Sequence, residues 1–167
     1  MLAYYLITNI GTMLHNPTAQ AYPRHLFLTQ MFDRDTRLMN VARHVRKTSR
    51  IILDNGEYEG MSVSPNQYRD TIRELMPHVV VLPDMFQGDA EKSRQMSINF
   101  WEGLQNRMGA KAARITPMYV PQGRTKEENF QAFEWAIKYL PPHKFIIGFG
   151  KSYLLWRKSI EIGRAHV

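Results

Sequence analysis

Apolar residues in this chain gather into short runs, each stopped by a polar residue or a glycine. Ile51-Ile52-Leu53 ends in Asp54-Asn55-Gly56, and Val79-Val80-Val81-Leu82-Pro83 ends in Asp84. Ile115 to Pro121 ends in Gln122-Gly123, and Phe145-Ile146-Ile147 ends in Gly148-Phe149-Gly150. Unbroken β-branched runs of this length read as strands buried on both faces, the habit of a parallel sheet. Helical periods lie between them. Ser64-Pro65 supplies an N-cap and a first-turn proline, and Tyr68, Ile72, Leu75 and Met76 then share one face up to Pro77. Asp89 is placed to cap a helix whose apolar stripe is Met96, Phe100, Trp101, Leu104 and Met108, with Gly109 as its stop. Thr125 to Glu128 forms a capping box that opens a helix with Phe130, Phe133, Ile137 and Leu140 on one face.

The flanks follow less clearly. Ala3 to Thr8 reads as a first strand, Gly11 to Pro23 as a loop with Asn16-Pro17 as its turn, and His25 to Thr29 as a short strand or strand end. Asp35 to Thr48 carries Leu38, Val41, Ala42 and Val45 at helical spacing, with a basic outer face. Lys151 to Ile160 reads as a further helix.

Each strand beginning near positions 51, 79, 115 and 145 is followed by one amphipathic helix. This βα repeat makes the fold class α/β, with parallel strands and right-handed crossovers. An open doubly wound sheet and a barrel both satisfy the repeat. Gly148-Phe149-Gly150 lacks the third glycine of a dinucleotide fingerprint, so the expected closure is a TIM-type (β/α)8 barrel, present in part. The 167 residues fall short of the roughly 250 of a whole barrel. Residues 1–160 are expected to form the N-terminal portion of one barrel domain. Residues 161–167 fit no turn, cap or apolar period, and Ile-Gly-Arg-Ala-His-Val back-translates to a sequence resembling a sequencing adapter, so this tail is expected to be non-native.

Composition narrows the classes. With 44% hydrophobic and 22% charged residues the chain has an ordinary globular make-up. Cysteine is absent, which excludes disulfides and thiolate metal sites within these residues. His25, His44, His78 and His143 show no metal-ligand spacing, so no metal site is expected, and no cofactor is expected in this chain. No apolar stretch approaches ~20 residues and no leader precedes the first apolar run; a cytoplasmic protein without a membrane partner is expected. The net charge is +7, spread over Arg34, Arg37, Arg43, Arg46, Lys47 and Arg50, then Arg107, Lys111 and Arg114. A distributed basic surface suits a phosphate backbone as well as plain solvation.

Chemistry concentrates at the strand ends. In a barrel, Asp54, Asp84, Gln122 and Gly148 would face one ligand. Two carboxylates and a carboxamide suit a flat heterocycle bearing N–H donors and a carbonyl, whereas a phosphate ligand would call for arginine, lysine or a glycine-rich helix start. Tyr58 lies close enough to Asp54 to stack on such a ring. Taken singly, Asp54-Asn55-Gly56 is an ordinary turn, Asp84 an ordinary cap and Gln122-Gly123 an ordinary loop. Their equivalent positions in the βα period favour a site.

In order, Leu53-Asp54-Asn55-Gly56-Glu57-Tyr58-Glu59, Pro83-Asp84, Val120-Pro121-Gln122-Gly123 and Ile147-Gly148-Phe149 resemble the tRNA-guanine transglycosylase superfamily, over roughly residues 50–152. Asn55 stands where the family has serine, Glu57 where it has glycine and Glu59 where it has glutamine. The short loops and the Leu-Asp-Asn-Gly wording look more like the phage and mobile-island branch that places 7-deazaguanines into DNA. The resemblance implies a (β/α)8 barrel that exchanges guanine for a 7-deazaguanine base in DNA or tRNA. It implies Asp54 as the catalytic acid–base carboxylate at the glycosidic bond. Asn55 would line the substrate pocket and Tyr58 would stack on the base. Asp84 would bind the amino and ring N–H groups, Gln122 and Gly123 the carbonyl side, and the Gly148–Phe149 backbone would complete the pocket. The family's nucleophilic aspartate and its Cys/His zinc motif lie beyond the matched residues, so a fragment inactive by itself is expected. A non-catalytic nucleic-acid or deazapurine-binding barrel, and a barrel enzyme acting on a small metabolite, are the alternatives.

Overall fold

The structure is a computed structural model, and it describes residues 9–56 and 63–150. The strand expected at 3–8, Tyr58, the helix expected from Lys151 and the tail at 161–167 lie outside the described residues. Five parallel strands alternate with helices, in the sheet order β1-β2-β3-β4-β5. The strands are β1 (Arg24–Leu28), β2 (Arg50–Asp54), β3 (Val79–Val81), β4 (Thr116–Tyr119) and β5 (Ile146–Ile147). The α/β class expected from the periodicity is therefore observed. The chain divides into two compact units, one holding residues up to Val81 together with Leu104–Thr116, the other Leu82–Gly103 and the residues from Pro117.

In the first unit, β1 pairs with β2 from Arg24 opposite Arg50 to Leu28 opposite Asp54, and β2 pairs with β3 at Ile52–Val79 and Leu53–Val80. Ile51, Ile52 and Leu53 are all buried, as are the three valines of β3, so both faces are covered there. The region 11–23 is not a loop. Asn9 accepts the N–H of Thr12 and caps α1 (Ile10–His15); Asn16 accepts those of Thr18 and Ala19 and caps α2 (Pro17–Gln20). Two Asn caps, with Pro17 in the first helical turn, override the turn reading of Asn16-Pro17. The basic helix expected over 35–48 is shorter, α4 (Arg37–Val45), and buries Leu38, Met39, Ala42 and Val45; a separate short helix not expected from the sequence, α3 (Gln30–Arg34), precedes it directly after β1. α5 (Pro65–Leu75) starts as expected. Ser64 Oγ accepts the Gln67 N–H, and Met76 ends the helix in the left-handed region at φ 54°.

The second unit contains the start of α6 (Ala90–Met108), β4 from Pro117, α7 (Lys126–Tyr139) and β5. Met118 pairs with Ile146 and Tyr119 with Ile147. Asp89 accepts the Lys92 N–H at the start of α6, and Phe100 and Trp101 are buried there. Leu104 and Met108 on the last turn, which belongs to the first unit, are buried as well. Met96 is not part of the stripe, since it is 36% exposed.

α7 departs further from expectation. Its buried positions are Asn129, Ala132 and Ala136, with Leu140 just beyond, while Phe130 and Ile137 are exposed and Phe133 is half-buried. The covered face is thus one residue off the large-apolar stripe. Two alanines let the helix approach closely, and Asn129 donates its Nδ2 hydrogen to the Pro121 carbonyl at 2.9 Å. A polar contact with the loop, and not the largest side chains, sets the rotation of this helix.

Candidate functional site

In the first unit, the finishing end of β2 is built around the backbone of Asp54. Its carbonyl accepts both the N–H and the hydroxyl of Thr29, at 2.9 and 2.7 Å, which locks the end of β1 to the end of β2. One carboxylate oxygen, Oδ1, accepts the Gly56 N–H at 3.1 Å and closes the Asp54-Asn55-Gly56 turn. Gly56 has φ +75°, and a Cβ at that position would collide with the carboxamide of Gln30. Behind the turn, the Tyr68 hydroxyl lies 2.7 Å from the Val81 carbonyl and 3.0 Å from the Leu53 carbonyl, and donates to them. One side chain of α5 therefore holds the last turns of β2 and β3 together. Asp54 is partly exposed and Asn55 is buried.

Gln30 went unnoticed in the sequence. It is 7% exposed, and neither its Oε1 nor its Nε2 has a hydrogen-bond partner. The signal was present: His25 to Leu28 is an apolar run closed by Thr29-Gln30, the same grammar as the four runs singled out above. A buried carboxamide with nothing to bond costs ~1–3 kcal/mol, a deficit a ligand can relieve.

In the second unit, Asp84 and Gln122 meet. Gln122 donates its Nε2 hydrogen to Asp84 Oδ2 at 2.6 Å, with the two residues 3% and 8% exposed. This bond fixes the amide orientation, because the reverse would face two oxygens. Gln122 Oε1, the remaining acceptor, is buried and unpartnered. Both loops are held by helix side chains. Ser97 Oγ donates to the Pro83 carbonyl at 2.7 Å, and Ser93 Oγ accepts the Met85 N–H at 3.0 Å. The i,i+4 spacing of these serines puts both on one face of α6. Asn129 holds Pro121, and Gly123 passes so close to α7 that a Cβ would lie 2.6 Å from the Asn129 nitrogen.

β5 completes this group. The Gly148 N–H donates to the Tyr119 carbonyl at 2.8 Å, and a Cβ on Gly150 would lie 3.3 Å from Gln122 Nε2. Phe149 is exposed and tilts against Phe133, ring centroids 5.3 Å apart. The crevice beside Gly148 and Phe149 holds about 10 Å³, room for one water and not for a purine. Tyr119 is fully buried, with its hydroxyl unpartnered. Burial pushes its pKa up to about 12; the nearby Asp84 charge adds to the rise and Arg94 opposes it. The phenol is neutral at any physiological pH.

Among the described residues no cluster of three or more His, Asp or Glu is arranged to hold a metal ion. No helix among them is long and apolar enough to cross a membrane. No protein-family model matches the chain, and no curated protein matches it significantly.

Proposed function

We propose that this chain is the base-recognising portion of a nucleic-acid glycosyltransferase with a (β/α)8-type barrel, which exchanges guanine for a 7-deazaguanine in DNA or tRNA. The observation that supports this most directly is the buried Asp84–Gln122 pair. It offers acceptors: the Asp84 carboxylate, held in place by the Gln122 amide, and Gln122 Oε1, which has no donor of its own. The Watson–Crick edge of guanine and its deaza analogues presents adjacent N–H donors, from the ring nitrogen and the exocyclic amine, and fits such a set. Adenine presents a ring acceptor there and would set lone pair against lone pair. Burial strengthens the discrimination, because an unmatched polar group in a dry pocket bears its full desolvation cost.

In this reading Asp54 is the acid–base carboxylate at the glycosidic bond, in keeping with its place at a strand end and the motif that surrounds it. Tyr58 stacks on the base, Asn55 lines the pocket, and the Gly123, Gly148 and Phe149 backbone borders the heterocycle. The base must leave its helix, or be taken from a loop, before it can be read in this way.

Equilibrium titration of the protein with 7-deazaguanine, guanine and adenine tests the recognition step. The first two are expected to bind and adenine is not. Asp84→Ala and Gln122→Leu should each weaken binding at least about tenfold. Equal binding of guanine and adenine, or an unaltered titration in Asp84→Ala, would overturn the assignment. In a protein that also supplies the nucleophilic aspartate, Asp54→Ala should abolish incorporation of labelled base.

A further inference from the structure

The starting ends of the strands in the first unit carry a different chemistry. Arg46 is the C-cap of α4 and Lys47 follows it, Arg50 opens β2, His78 precedes β3, Arg114 ends the 3-10 segment Gly109–Arg114, and Thr116 opens β4. Together they line an open cleft of about 460 Å³. Arg24, the first residue of β1, is in register with Arg50 and extends the basic row. The Thr116 N–H donates to the His78 carbonyl at 3.0 Å, and the Arg50 N–H to the Pro23 carbonyl at 2.9 Å, so the backbone beneath the cleft is fixed.

No carboxylate lines this cleft. Elsewhere in the same unit arginines are neutralised: Arg37 by Asp35, Arg43 by Glu74 and Arg73 by Asp70. Among the described residues, the exposed Lys47, Arg50 and Arg114 form no ion pair. Arg46 donates its Nε hydrogen to the Met76 carbonyl, which anchors the guanidinium at the cleft. His78 Nδ1 accepts the Ile51 N–H at 3.1 Å, so its neutral ring carries the proton on Nε2, as a donor. Burial lowers the His78 pKa, and the charges of Arg46 and Arg50 lower it further, as expected where two guanidinium groups act on one place without a counter-charge. Isolated unpaired cations are ordinary on a protein surface. Four around one concavity repel one another, and a low-dielectric hollow concentrates their field.

The geometry points to a phosphate-binding cleft that grips the backbone of a nucleic-acid strand at the starting end of β2, opposite the end that carries Asp54. The lining groups donate hydrogen bonds and carry positive charge, the set that phosphate oxygens require. The volume exceeds that of a single phosphate and leaves room for successive phosphodiesters. With ~3.3 Å rise per residue, Arg50 and Asp54 stand about 13 Å apart along β2, so this contact is distinct from base recognition. It does not rest on base exchange, because a binder without chemistry would use it in the same way.

Fluorescence anisotropy of the protein with a labelled DNA duplex and a labelled single strand, over a range of salt, tests the cleft. The double variant Arg50→Ala/Arg114→Ala should weaken binding about tenfold at low salt and lessen the log–log salt slope by about 2. Arg43→Ala/Arg73→Ala removes the same charge from carboxylate-paired positions and should change affinity less than about twofold. Equal losses in the two double variants, or no loss in the first, would overturn the proposal. So would binding of inorganic pyrophosphate at the cleft by a protein that binds neither oligonucleotide. The free-base titration should be unchanged in Arg50→Ala/Arg114→Ala, so failure here and failure of the base-exchange reading give different results.

Discussion

Two buried tyrosines show how little residue type says about the role of a hydroxyl. Tyr68 spends its proton on the carbonyls that end β2 and β3, whereas Tyr119 is equally buried and its hydroxyl bonds to nothing. The same substitution should therefore have opposite effects. Tyr68→Phe removes a donor from two buried carbonyls and should cost about 1–3 kcal/mol. Tyr119→Phe removes an unpaired hydroxyl and should be neutral or raise stability by up to about 1 kcal/mol. Urea midpoints of the two variants and the parent decide it, and a loss in Tyr119→Phe matching that in Tyr68→Phe would show that the Tyr119 hydroxyl has a partner. Neither role was legible in the sequence, where Tyr68 reads only as one member of a helix's apolar face and Tyr119 only as part of an apolar run. What was legible was the chemistry at the run ends, because a carboxylate or carboxamide directly after a β-branched run has few places to go. Asp84 and Gln122 lie 38 positions apart in the chain, yet they meet through that grammar. Gln30 obeys the same rule and was missed because its strand opens with the polar pair Arg24-His25, which masks the apolar run.

Elements were legible where capping and period agree. Ser64-Pro65 and Thr125 to Glu128 start helices as their side chains dictate, with Ser64 Oγ on Gln67 and Thr125 Oγ1 on Glu128. Rotation was not legible, because the size of side chains competes with their fit. α7 turns Ala132 and Ala136 inward and leaves Phe130 and Ile137 exposed, since small residues permit close approach and Asn129 is committed to Pro121. Substitution discriminates this rotation from the one the apolar stripe suggests. Ile137→Gln should shift stability by no more than about 0.5 kcal/mol, as at other exposed sites. Ala136→Leu forces three carbons into a closed face and should cost about 1–3 kcal/mol. Loops are set by the same partnership. Ser97 holds the Pro83 carbonyl from the next helix, and Ser97→Ala should leave that carbonyl without a donor, at about 1–3 kcal/mol, and loosen Asp84 along with it. Denaturation together with the free-base titration reads both effects, and weakened base binding at intact stability would mean that Ser97 acts on the Asp84 loop alone.

At the scale of the molecule, the repeat of strand and helix specified the parallel sheet because it depends on a whole chain of runs and not on any one of them. The distribution of charge was only half visible: the sequence showed how many cations there are, and the fold shows which have partners. The same burial that orders the sheet also makes its stability pH-dependent. His25 is fully buried in β1, stacked against Phe27 with ring centroids 5.9 Å apart, and desolvation lowers its pKa against the pull of the Tyr22 and Gln20 carbonyls. His78 is shifted the same way by burial, then by Arg46 and Arg50. A histidine whose folded pKa lies below its ordinary value of about 6.5 stays neutral in the fold while the unfolded chain takes up a proton. Stability is therefore complete above about pH 6.5 and declines as the pH falls toward the folded values, at no more than about 1.4 kcal/mol per pH unit for His25. His78 is partly exposed, and solvent screening makes its share smaller. His25→Phe keeps the aromatic stack and removes the titrating group, so its urea midpoint should fall less between pH 7.5 and 5.5 than that of the parent. An equal fall in both proteins would place the acid sensitivity in groups other than His25.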